Sequence, residues 1–98
     1  MKTITIRGEF PNSGNNSLRL LVYSNDFPAK SDDFTKLYKK SFEEKITGMG
    51  DKSIYHIGLG GRTTGEIKIS ITGDFDNPNP IVEIVETGFV RAFTIKTL

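Results

Sequence analysis

The chain has no cysteine, no tryptophan and a single histidine. Without cysteine, disulfides, thiolate metal sites and cysteine nucleophiles are excluded, and the core must hold without covalent staples. His56 is a poor start for a metal centre, and no serine sits in a GxSxG elbow. No carboxylate pair has a spacing tied to a reaction. No apolar run approaches the roughly 20 residues of a membrane-spanning helix. The opening MKTITIRGEF alternates polar and apolar residues where a secretory signal would be continuously apolar, so a cytoplasmic protein is expected. Neither sign of charge is in excess: 13 Lys and Arg face 12 Asp and Glu, for a net charge of +1. That balance argues against strong nonspecific attraction to nucleic acid or an anionic membrane, though a local basic patch stays open.

What is present describes a folding domain. With 36% hydrophobic and 26% charged residues, the 98-residue chain is too apolar for a disordered polyelectrolyte and of the size of one domain, residues 1–98. Ile4, Ile6 and Phe10 alternate with Thr5, Arg7 and Glu9, the period of a half-buried strand. A polar run, PNSGNNS, leads to a second strand over Leu18–Tyr23. Its NNS matches a glycosylation sequon, read here as a polar turn. In FTKLYKKSFEEKI, Phe34, Leu37, Tyr38, Phe42 and Ile46 recur at helical spacing. The spacing predicts a helix, capped by Ser31 or Asp32 and ended by Gly48.

Further strands are expected over Ser53–Leu59 and Glu66–Thr72, joined by the glycine-rich GGRTTG. Two more follow, IVEIVE and FVRAFTIKTL, turning tightly at Thr87 and Gly88. The expected fold is α+β: an antiparallel-rich curved β-sheet of five to six strands with one α-helix packed on one face, in the order β-β-α-β-β-β-β.

The stretch ITGDFDNPNP places Asp74 and Asp76 one residue apart in a Gly- and Pro-flanked loop. A calcium loop starting at Asp74 would need oxygen ligands where Pro78 and Val85 stand, so a turn anchored by Phe75 is the better reading. An echo, ITIRGEFPN against ISITGDFDN, shares the Gly, the Phe and the Asn, residues suited to turning a chain. GLGGRTTGE resembles a phosphate cradle only in its glycines, because no Gly-Lys-Ser/Thr follows and the next segment is a strand. TGFVRAF departs from the RNA-recognition aromatic pattern at Thr87 and Ala92. Phe89, Arg91, Phe93 and Ile95 nonetheless share one strand face.

These features imply a non-enzymatic protein-binding module with no cofactor, no metal and no catalytic residues. The expected role is inhibitor or regulator of a host or defence protein, of the phage or mobile-element, anti-defence kind. Arg62, Thr63, Thr64, Asp74, Asp76 and Arg91 are its candidate contacts. The alternative is nucleic-acid binding through a local basic and aromatic surface. A homodimer through an edge strand is a further expectation, and a membrane partner is not expected.

Overall fold

The structure, a computed structural model, describes residues 2–24 and 34–98. These form six strands: β1 (Lys2–Glu9), β2 (Ser17–Ser24), β3 (Phe34–Tyr38), β4 (Phe42–Met49), β5 (Ile54–Gly73) and β6 (Ile81–Lys96). Every pairing among them is antiparallel.

β5 is the axis of the sheet. One of its edges carries β2 along Tyr55–Arg62 and then β1 along Lys68–Gly73, while the other carries β6 along its whole length. β3 flanks β2, and β4 flanks β1. The sheet is therefore four long ribbons side by side: β3 with β4, β1 with β2, β5, and β6. Each ribbon breaks on one transverse line, at Lys39–Ser41, at Phe10–Asn16, at Thr63–Gly65 and at Thr87. In β5, the residues from Thr63 to Gly65 stand opposite Thr87 alone, since Arg62 pairs with Gly88 and Glu66 with Glu86. Extra residues in one strand bend it and sharpen its twist. Thr87 takes the other half of the bend at φ 53°.

The bend folds the sheet over its own inner face. Arg91 Nε lies 3.3 Å from Glu83 Oε1, although eight residues of extended strand span about 26 Å. Between the two halves lie Ile4 and Ile6 of β1, Leu18, Leu20 and Val22 of β2, and Ile57, Leu59, Ile67, Ile69 and Ile71 of β5. Val85, Phe89 and Ile95 complete this layer from β6, so Phe89 belongs to the core. Each such side chain contributes about 1.5–3 kcal/mol when fully buried.

Local chemistry explains where the bend falls. Asn16 Oδ1 accepts from the Thr63 hydroxyl at 2.5 Å and from the Thr64 N–H at 3.3 Å, while Thr63 Oγ1 accepts from the Gly65 N–H at 3.1 Å. A buried threonine and one asparagine thus satisfy backbone groups that leave the ladder at the bulge. The crossing is tight: a Cβ on Gly61 would collide with the Ser17 carbonyl. On the adjoining ribbon the Phe42 ring lies over Gly8, stacks on Tyr38 at 3.8 Å and meets Phe10 edge-on at 6.2 Å. The Tyr38 hydroxyl donates to Glu44 Oε1 at 2.5 Å, and Glu44 also pairs with Lys36 at 3.5 Å. At the open ends of the fold, the buried Thr97 hydroxyl donates to the Gly50 carbonyl at 2.6 Å and accepts from the Ser53 N–H at 2.8 Å. The connection from β4 to β5 is clasped in this way against the final residues.

The expected α+β fold is overturned, because the described residues contain no helix. Where a helix over Phe34–Ile46 was expected, β3 and β4 run with a break between them. Phe34, Tyr38, Phe42 and Ile46 are spaced by four, an interval that suits a helix and a strand equally, because four is also even. Only Leu37 breaks the parity, and it is exposed on the outer face. Aromatic and β-branched residues fit a half-buried pleated surface, and no second layer is left for a helix to cover. The capping positions Ser31 and Asp32 lie outside the described residues. Two expected turns are likewise bends within continuous strands: GGRTTG does not end β5, and Thr87-Gly88 does not make a hairpin in β6. Among the described residues no helix is long and apolar enough to cross a membrane.

Two tests follow from the bend and its aromatic stack. Gly61→Ala should lower the stability to urea by roughly 1–3 kcal/mol, the usual penalty of overpacking. Gly88→Ala should change it far less, because no atom lies within 4 Å of the place its methyl would take. Burial first, and the Glu44 hydrogen bond second, raise the Tyr38 phenol above its ordinary pKa. The unfolded chain then loses this proton first as pH rises past about 10, so stability contributed below that pH is lost as pH climbs toward the folded value. Absorbance titration at alkaline pH should show Tyr38 ionising above the ordinary tyrosine range, and Tyr38→Phe should remove that late step.

Candidate functional site

The residues singled out in the sequence fall in three separate places. Asp74, Phe75 and Asp76 lie in the connection between β5 and β6, as a turn-forming stretch should. Phe75 is buried, and its backbone bridges to Thr97. Asp74 is structural in its contacts: its carboxylate accepts from the Thr3 N–H at 3.1 Å, and its own N–H donates to the Thr3 carbonyl at 3.0 Å. Asn79 closes the same turn by donating to the carbonyls of Gly73 and Phe75, both at 2.9 Å. Asp76 is exposed. Among the described residues, no group of three or more His, Cys, Asp or Glu side chains is placed to hold a metal ion.

Arg62, Thr63 and Thr64 lie on the transverse line. Thr63 is buried, its hydroxyl engaged by Asn16. Thr64 is exposed and packs against Gly14, a close approach that only glycine allows, since a Cβ there would collide with the threonine hydroxyl. Arg62 opens outward beside a cleft of about 370 Å³ shared with Lys39 and the loop Gly14–Ser17. A second cleft of about 420 Å³ joins it through Lys39 and adds Lys40. Arg62, Lys39 and Lys40 have no ion pair among the described residues, so the clefts are cationic. Arg91, in the third place, points to the inner face, where Glu83 neutralises it and a guanidinium N–H donates to the Val90 carbonyl at 3.0 Å.

One further surface was not singled out in the sequence. It is the outer face of the half-sheet formed by β3, β2, the first half of β5 and the second half of β6. Alternation directs Arg19, Leu21 and Tyr23 outward from β2, His56, Gly58 and Gly60 from β5, and Val90, Ala92 and Thr94 from β6. His56 stands beside the Tyr23 ring at 5.0 Å, with Nδ1 3.1 Å from the Thr94 hydroxyl oxygen. Gly58 and Gly60 floor a trough of about 420 Å³ walled by Leu21 on one side and Val90 and Ala92 on the other, with Arg19 at its rim. Val90 is 80% exposed, and Leu37 and Tyr23 extend the apolar surface.

The two glycines are not demanded by packing. A Cβ at Gly58 or Gly60 would meet nothing closer than 3.9 and 3.8 Å, ordinary contact distances. Glycine weakens a strand by its entropy and offers no packing in return, so their effect here is the hollow itself. The outer face of the other half-sheet carries Thr5 and Arg7 of β1, Glu43 of β4 and Glu66, Lys68, Ser70 and Thr72 of β5, with Val82 and Ile84 of β6 as an exposed apolar margin. Arg7 and Glu43 form an ion pair there that raises the Arg7 pKa, chiefly through their hydrogen bond. The signal available in the sequence was the run IGLGG opposite LRLLVY, apolar on both faces, which a strand with one solvated side does not require.

Comparison with protein-family models, with curated proteins and with solved structures returns no match, so the geometry carries the functional reading.

The Asp74 contacts yield a direct test. Asp74→Ala should cost about 1–3 kcal/mol, because a charged acceptor to a backbone N–H is removed, while Asp76→Ala should leave the urea midpoint nearly unchanged.

Proposed function

We propose that this chain is a non-enzymatic protein-binding module, acting as an inhibitor or regulator by occupying a partner's surface. The observation that carries this reading is the trough over Gly58 and Gly60, an apolar hollow floored by glycine on the outer face of the sheet. Contact surfaces are marked by apolar centres with polar rims. The rim here is cationic: Arg19 has no ion pair among the described residues, and Arg62 and Lys39 lie along the transverse line. The fitting occupant is a protein segment that inserts one or two apolar side chains over the glycines and sets carboxylates against the rim. Anti-defence activity of the phage or mobile-element kind is one setting for such a module.

A second reading has its own observation, the adjoining cationic clefts with Arg62, Lys39 and Lys40, which would suit a nucleic-acid backbone. Salt separates the two. Binding to a nucleic acid through phosphate contacts falls steeply with added salt, whereas an apolar contact in the trough does not.

The test fills the hollow without disturbing the fold. Gly60→Val and Val90→Asp should keep the strand circular-dichroism spectrum and the urea midpoint, yet lose a defined protein captured by the unaltered chain at moderate salt. Capture that survives both substitutions, or captured material that is nucleic acid and elutes with salt, contradicts the trough as the contact site.

A further inference from the structure

β6 is the last strand of the sheet, and from Ile81 to Ile95 its far edge pairs with no other strand among the described residues, while the segment 74–76 bonds the backbone of Lys96 and Leu98 beyond that stretch. β6 runs for 16 residues. Such an edge is a template for another strand, and soluble proteins commonly cover it or charge it. Beside its charged residues, this one turns Val82, Ile84 and Val90 to the outer face at 52, 54 and 80% exposure.

The strand also reads alike in both directions from Thr87. Val85 answers Phe89, Ile84 answers Val90, Glu83 answers Arg91, Val82 answers Ala92 and Ile81 answers Phe93. Four of these five pairs are apolar with apolar, and the fifth joins opposite charges. We propose that two copies of this chain associate edge to edge through β6, antiparallel, about a two-fold axis at Thr87. The occupant of the open edge is a second copy because the edge is complementary to itself, which is what a two-fold interface requires.

Two features fix this register against its neighbours. A shift of two residues is the smallest that keeps each side chain on its face. Either such shift sets Glu83 opposite Phe89 or Phe93, and Arg91 opposite Ile81 or Val85, so each intrachain Glu83–Arg91 pair faces apolar side chains in place of the complementary pair of the second copy. The bend is the second feature. β6 folds at Thr87, and an axis through that residue brings the bend of one copy beside the bend of the other, whereas a shifted register sets a bend against straight strand. Gly88 then faces Glu86 of the second copy, and no atom of its own chain lies within 4 Å of a Cβ there. The result is one continuous folded sheet with its transverse line running through both chains. The inference goes beyond the proposed function and does not depend on it: strand pairing leaves both outer faces open, and it sets Ile84 of the second copy beside Val90 at the trough margin.

The absence of cysteine makes a direct test available. Facing residues of an antiparallel pair lie about 4.5–5.5 Å apart at Cα, within reach of a disulfide. The chain should sediment as a dimer, and Thr87→Cys should oxidise to a covalent dimer while Lys68→Cys, outward on β5, stays monomeric on a denaturing gel. Glu83→Arg alone and Arg91→Glu alone should each reduce the dimer, and mixing the two variants should restore it, because the mixture pairs opposite charges across the seam while each chain keeps like charges within itself, with circular dichroism reporting that each variant is folded. A chain that sediments as a monomer at all concentrations overturns the proposal. So does a dimer that cross-links no better through position 87 than through position 68, or one that mixing the two single charge-reversal variants does not restore.

Discussion

The constraint on which the rest depends is the transverse bend that breaks all four ribbons of the sheet on one line. A flat antiparallel sheet of this size would bury one face only against another layer, and the described residues contain no helix to supply it. Folding the sheet over itself lets each half be the other's second layer. The isoleucines of β1 and β5 then meet the leucines of β2 and the aromatic residues of β6 in one core. Everything at the bend serves that closure: the extra residues of β5, a left-handed Thr87 in β6, an asparagine satisfying the displaced backbone, and an aromatic stack over Gly8. At the far ends Thr97 and the Asp74 turn tie the two halves shut.

Much of the β structure was legible in the chain because alternation is a local signal. Ile4 and Ile6, Leu18 to Tyr23, and the pattern from Glu66 to Thr72 all place their buried residues where period two puts them. The segment from Phe34 to Ile46 misleads for a physical reason: spacing by four satisfies both periods, and the mixed charges of Lys39, Lys40, Glu43 and Glu44 suit an exposed helix face as well as an edge ribbon. The bends in β5 and β6 were hidden by their own chemistry. Gly60, Gly61, Gly65 and Gly88 signal a turn in any local reading. Whether the chain reverses there or bends and continues depends on partners more than 40 residues away, as with Asn16 and Thr63.

The candidate sites were legible to a lesser degree. The Asp74–Phe75–Asp76 turn was correctly placed as a connector anchored by its phenylalanine, and Arg62 lies where a contact residue could be. Thr63 looks like a surface group in the sequence, yet it is buried and consumed by the bend, while Arg91 is exposed with its charge met by Glu83. The glycine-floored trough was signalled only by the doubly apolar LRLLVY, because a missing side chain carries meaning only once the residues on either side of it are known. Gly58 looks like an ordinary strand residue and Gly60 like a turn residue until β2 and β6 are seen to wall them. The same bend thus organises the core and sets the cationic clefts along its outer line.

The most direct test of the folded sheet is a set of proton–proton contacts and backbone chemical shifts measured by NMR on the whole chain in solution. The fold predicts extended shifts over Phe34–Tyr38 and Phe42–Met49, contacts from the Phe42 ring to Gly8, and side-chain contacts between Glu83 and Arg91 within one strand. Helical shifts over 34–46, or the absence of contact between Glu83 and Arg91, would contradict it.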